Sequence, residues 1–137
     1  MTQRRLARFP LRLQTEWITR AEGYRVLHLR GDLDSSTVAA FREAIAQAGP
    51  ETAAVIEMSD VPFLDSAGIG ALIGGIRRLR ELGGDVAVAS PRPALKRVLH
   101  MTGFDRIVPV TDSVEQAADA MVAASTTPSR HPAAIRS

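Results

Sequence analysis

Residues 63–82 read FLDSAGIGALIGGIRRLREL. Their apolar positions, Ile69, Leu72, Ile73, Ile76 and Leu79, recur at helical spacing and share one face of a wheel turning about 100° per residue. Upstream, the apolar run Val55-Ile56-Glu57-Met58 feeds through Ser59-Asp60-Val61-Pro62 into Asp65-Ser66. Both of those residues are good N-cap types, so the spacing predicts a helix that starts at one of them. The Ser66 hydroxyl then lies beside the unpaired amides of the first turn. Each glycine inside a helix costs up to about 1 kcal/mol relative to alanine, yet Gly68, Gly70, Gly74 and Gly75 fall within three turns. The side opposite the apolar stripe carries Ala67, Gly70, Ala71, Gly74 and Arg78, nearly bare for two turns, which lets another surface approach closely next to Ser66. Gly68 and Gly75 lie toward the buried edge, where close packing within the domain is an equally good reason for a glycine.

Outward from this helix, punctuation and periodicity divide the rest of the chain. A hairpin is expected from Leu13–Thr19 and Tyr24–Leu29, turning at Ala21-Glu22-Gly23, with the lone Trp17 packed on the core. Asp34, Ser35 and Ser36 compete as N-caps of a helix with the stripe Val38, Phe41, Ile45 and Ala48, which Gly49-Pro50 ends. Ala53–Met58 reads as a central strand. Beyond the Gly83-Gly84 stop come a strand at 85–89 and a helix entered through Ser90-Pro91, with Pro91 or Pro93 in its first turn and Leu95, Val98 and Leu99 facing inward. Gly103 ends that helix. Ile107–Val110 reads as an edge strand because of Pro109, and Asp112 or Ser113 caps a final helix with Val114, Ala117, Ala118, Met121 and Val122 inward. Strands alternating with helices after a hairpin predict one α/β domain with a mixed, mostly parallel sheet of about five strands and about four helices.

The chain has 137 residues, no cysteine and a formal charge of +2. Length permits one domain, expected over 13–124, between a flexible basic arm at 1–12 and a disordered tail at 125–137. Arg4, Arg5, Arg8 and Arg12 lie in the first segment, Arg130 and Arg136 in the last, and neither contains an acid. Eleven basic residues then face fifteen acidic ones in the domain itself, a charge near −4. The basicity therefore belongs to the ends and not to a structured face, which argues against nucleic acid as a partner. No apolar run approaches the roughly 20 residues of a membrane span, so a soluble, cytoplasmic protein without membrane insertion is expected. His28, His100 and His131 are too scattered for a metal motif. No G-x-S-x-G elbow surrounds Ser66 and no phosphate-binding glycine loop is present, so neither catalysis nor a cofactor is expected. What remains is an interaction surface with a modifiable hydroxyl. Phosphorylation of Ser66 would place about −1.5 to −2 charges at a helix N-terminus that tolerates them, while changing the face a partner meets.

The chain resembles the single-domain anti-sigma factor antagonists, the anti-anti-sigma factors of the STAS domain class, from about Leu13 to Val122. The most specific segment is Val61-Pro62-Phe63-Leu64-Asp65-Ser66-Ala67-Gly68-Ile69-Gly70, supported by Gly31-Asp32-Leu33-Asp34 and Leu99-His100-Met101-Thr102-Gly103-Phe104. This resemblance implies a STAS-like fold and a partner-switching role. The unphosphorylated form would bind an anti-sigma factor that is also a serine kinase with an ATP-binding fold, releasing a sigma factor. Phosphorylation of Ser66 would abolish binding, and a serine phosphatase would restore it. The implied contact residues are Asp32, Asp34, Asp65, Ser66, Ala67 and Gly70. Ala67 stands where many relatives have a second serine, and Glu57 where a shorter acid or an amide is common. Two other expectations remain open: a STAS accessory or scaffold subunit of a transporter or sensory complex that works without phosphorylation, and a ligand-binding or hydrolytic domain with a polar pocket at Ser66.

Overall fold

The computed structural model describes residues 12–125. Residues 1–11 of the arm expected at 1–12 and residues 126–137 of the tail expected at 125–137 lie outside the described residues, as do the side chain of Val122 and His131, while Ser125 ends the last helix. The order of elements is β1 (Gln14–Thr19), β2 (Arg25–Arg30), α1 (Val38–Ala46), β3 (Ala53–Asp60), α2 (Ser66–Glu81), β4 (Asp85–Ala89), α3 (Pro93–Met101), a 3-10 turn (Phe104–Arg106), β5 (Val110–Thr111) and α4 (Val114–Ser125). The strands form one sheet in chain order, with β1 antiparallel to β2 and the other neighbours parallel. The hairpin turns at Gly23, whose φ of +100° suits a residue without a Cβ.

The central strands are apolar on both sides because both faces are covered. On one face Leu27, Leu29, Ile56, Met58 and Val88 pack against Phe41 of α1, Leu72 and Ile76 of α2, and Leu99 of α3. On the other, Val26, Val55, Ala87 and Ala89 meet Ala117 and Met121 of α4. Trp17 closes the first core at the β1 edge. Its indole Nε1 donates to the Ala44 carbonyl at 2.9 Å, and the Arg25 guanidinium lies 4.5 Å from its ring.

Several local expectations shift. Helix α1 starts at Val38 with Thr37 at the cap, later than Asp34, Ser35 or Ser36. The reason is that Asp34 organises a preceding turn: its Oδ1 accepts from the Ser36 amide at 2.9 Å, and its carbonyl accepts from the amides of Thr37 and Val38. The last strand is Val110–Thr111 and not Ile107–Val110, because buried Phe104 anchors a 3-10 turn whose carbonyl takes the amides of Ile107 and Val108. Val98 faces solvent while Leu95 and Leu99 are buried. Pro93 takes the first position of α3, and Gly103 ends it in the left-handed region at φ +80°. Ala71 is 2% exposed against the expected bare face, whereas Ile69 and Ile73 are only partly covered, so the buried side of α2 is rotated toward α1.

Candidate functional site

Parallel strands with helical crossovers bring the starts of α1, α2 and α3 to the end of the sheet where β2, β3 and β4 finish, and Ser66 lies there. Two loops are tied together beneath it. The Leu33 amide donates to the Phe63 carbonyl at 3.0 Å, and the Asp65 amide donates to the Leu33 carbonyl at 3.4 Å. Leu33 and Leu64 form a parallel bridge and are both buried, so two apolar anchors hold the segment with Asp32 and Asp34 against the one with Asp65 and Ser66. A Cβ at Gly68 would run into the Leu33 carbonyl oxygen and come within 2.8 Å of Leu64 Cδ1, so only glycine lets the loop lie this close to the helix.

Asp65 is the N-cap of α2: its Oδ1 accepts from the Gly68 amide at 2.9 Å and its carbonyl from the Ile69 amide. Ser66 is the first helical residue and is exposed, and its hydroxyl has no hydrogen-bond partner among the described residues. The amides of Ser66 and Ala67 are the helix donors left over after this capping. On the other loop, the buried Thr37 hydroxyl donates to the Asp32 carbonyl at 2.8 Å and accepts from the Asp34 amide at 3.0 Å. The Ser36 hydroxyl beside Asp34 holds that carboxyl below the ordinary carboxylate range, helped by the Ser36 amide and by Thr37 and opposed by partial burial. Asp34 is thus an ionised, rigidly held group. The structure brings Asp32, Asp34, Asp65, Ser66 and Ala67 to one end of the domain, with Gly70 one turn along α2. Asp32 is half-buried and has an interaction of its own.

Beyond Ser66 a groove of about 260 Å³ runs between α1 and α2. Gly70 and Gly74 form its open side, where an added Cβ would meet nothing within 4 Å. Arg42 and Arg78 line it, and neither has an ion pair among the described residues. Arg42 was not legible as a site residue, because a wheel drawn for α1 does not say which helix stands beside it. Phe63 was also missed; it is 49% exposed, its carbonyl fixed on Leu33. An aromatic two residues before an N-cap was the available signal.

Ser66 thus opens a helix at the end of the domain that also carries Asp32, Asp34 and Asp65, and the open glycine side of α2 follows it. The STAS domain model matches residues 17–117. The chain belongs to the STAS domain family, among its anti-sigma factor antagonists. An "Anti-sigma F factor antagonist" of Paenibacillus polymyxa is 32% identical over 95 residues, covering 66% of this chain and 80% of that one. The crystal structure of an anti-sigma factor antagonist from Mycobacterium paratuberculosis superposes with a TM-score of 0.70 at 30% identity, covering 82% of this chain and 96% of that one. The Bacillus cell fate determinant SpoIIAA in its phosphorylated form gives 0.58 at 25% identity, over 77% of this chain and 97% of that one. Among the described residues, no helix of this STAS domain is long and apolar enough to cross a membrane, and no group of three or more His, Cys, Asp or Glu side chains could hold a metal ion.

Proposed function

We propose that this STAS domain is a cytoplasmic anti-sigma factor antagonist and that Ser66 is its switch. The observation that carries the reading is the exposed Ser66 hydroxyl, without a partner among the described residues, at the start of a helix face on which Gly70 and Gly74 leave open space. The unphosphorylated face docks an anti-sigma factor that is also a serine kinase with an ATP-binding fold, and this releases the sigma factor. Phe63 and the α1–α2 groove extend the contact on either side of Ser66, Ala67 and Gly70, while Asp32, Asp34 and Asp65 form its acidic rim.

Ser66 is the substrate in this scheme, and the partner carries the catalytic machinery. The Oγ attacks the γ-phosphorus of the kinase's ATP, ADP departs, and the hydroxyl proton passes to a base on the kinase. The product carries about −1.5 to −2 charges beside the free amides of Ser66 and Ala67, which accommodate an anion at the positive end of the helix. The fold therefore persists. Its face changes: the new charge adds to Asp65 and Asp34, and the phosphoryl oxygens fill space that the partner needs. A serine phosphatase reverses the step.

Calorimetry with the cognate kinase tests this. Ser66→Ala should bind but accept no phosphate in mass spectra, and Ser66→Glu should bind at least about 100-fold more weakly, since like-charge juxtaposition at an interface costs several kcal/mol. Equal affinity of the wild type and Ser66→Glu would refute the switch.

A further inference from the structure

At the end of the sheet opposite Ser66, where β2, β3 and β4 begin, lies a second hollow of about 790 Å³ that the proposed switch does not use. Tyr24, Ala53, Ala118 and Met121 supply apolar lining, Met121 from the far part of α4. Among the described residues, five carboxylates, Glu22, Glu51, Asp85, Glu115 and Asp119, line it with Arg80 as the single lining cation. Some of that charge is already met: Arg20 approaches Glu22 at 3.9 Å and Glu115 at 3.7 Å, and Asp85 accepts from the Val86 amide. Glu51 and Asp119 have no side-chain partner among the described residues, so the hollow is apolar inside and carries unmet negative charge.

The chain itself holds the complementary piece. Helix α4 starts beside the end of β5, runs past the hollow through Ala118 and Met121, and ends at Ser125. Residues 126–137, TTPSRHPAAIRS, follow directly, with Arg130 and Arg136, no acid, and the apolar group Pro132-Ala133-Ala134-Ile135 between the two arginines. A segment of that length reaches at most on the order of 40 Å when extended, far more than the return from α4 to a hollow that α4 itself lines. Composition alone offers this segment too little apolar surface to order itself, and a preformed apolar hollow with an acidic lining supplies what it lacks. The basic arm before β1 starts farther away: Gln14 pairs with Arg30 at the end of β2, so the arm leaves the sheet at the Ser66 end and would have to cross its whole length to reach the hollow.

We propose that residues 126–137 fold back into this hollow, with the Pro132–Ile135 stretch on Tyr24 and Met121 and an arginine on each side, one facing Asp119 and the other Glu51. The segregation of charge between a basic terminal segment and an acidic domain thereby becomes an intramolecular contact. Docking at this end leaves the Ser66 face open.

Because the chain has no cysteine, Ser129→Cys takes a single nitroxide label in the full-length protein. Paramagnetic signal loss is expected at the amides of Gly83, Gly84 and Asp119 and not at Ser66 to Gly70. It should disappear in about 1 M salt, where the Debye length is about 3 Å, and in both Asp119→Lys and the double variant Arg130→Glu/Arg136→Glu. The double variant changes only residues outside the described fold, so it serves if Asp119→Lys fails to fold. Signal loss confined to the Ser66 end, or none above that of a freely diffusing label, overturns the proposal. So does loss transferred to an unlabelled ¹⁵N chain mixed with a labelled one, which would make the occupant a second copy.

Discussion

One helix carries four glycines with two opposite jobs. Gly68 and Gly75 face the interior, where an added Cβ would meet the Leu33 carbonyl in one case and the Phe41 ring at 3.1 Å in the other. Gly70 and Gly74, on the neighbouring side, face open space. All four incur a similar helix-propensity penalty, but only the first pair recovers it within the fold by close packing. The second pair recovers nothing in the isolated domain. A feature that destabilises a molecule without a contact to offset it points to a contact made with something else.

Substitution can break this contrast. Gly68→Ala should have the largest effect on the fold, lowering stability by about 1–3 kcal/mol, because the obstacle is a backbone oxygen that cannot rotate away. Urea unfolding measures it, and an unchanged midpoint would mean the loop at Leu33 is not held as described. On the open side, Gly70→Leu should leave the fold intact and weaken binding of the proposed partner at least about 10-fold, roughly 1.4 kcal/mol, by filling the groove. A variant that bound normally would remove the glycine face from the docking surface. Gly70→Ala and Gly74→Ala should each raise stability by about 0.5–1 kcal/mol, since the better helix former meets no neighbour. If they destabilise instead, the two pairs do not differ.

The smallest effect concerns the acidic rim. Asp34 is held below the ordinary carboxylate range, so it binds fewer protons folded than unfolded at a given acidic pH. Its contribution is therefore complete above its unfolded pKa and is lost as pH falls through the lower folded value. Between pH 5 and 8 the loop should show no pH dependence from this group. Asp34→Asn should narrow the difference between neutral and strongly acidic stability, read from thermal melts, by less than the Gly68→Ala effect. A shift of that carboxyl's NMR titration above the ordinary range would contradict the Ser36 contacts.

Much of this was legible in one dimension. The 3.6-residue period placed α2, the Asp65-Ser66 pair marked its start to within one residue, and that position implied a Ser66 hydroxyl beside free amides. The alternation of strands and helices implied the mostly parallel sheet. Local chemistry suffices for such readings because caps and periodicity act over a few residues. Where a long-range neighbour decides, the sequence was silent or misleading. Ala71 looked like part of the bare face and is buried, since α1 stands over that side. Val98 looked inward and is exposed.

By itself, then, the sequence determined the order of helices and strands and narrowed the start of α2 to Asp65 or Ser66, because those outcomes follow from hydrogen bonds and side-chain spacing within a turn or two. Only the tertiary structure decided what crowds Gly68 and Gly75, that Ala71 is buried beside them, and that Arg42 joins Arg78 along one groove. A helical wheel gives the direction of a side chain, whereas the carbonyl of Leu33 and the ring of Phe41 arrive from segments about 35 residues earlier in the chain.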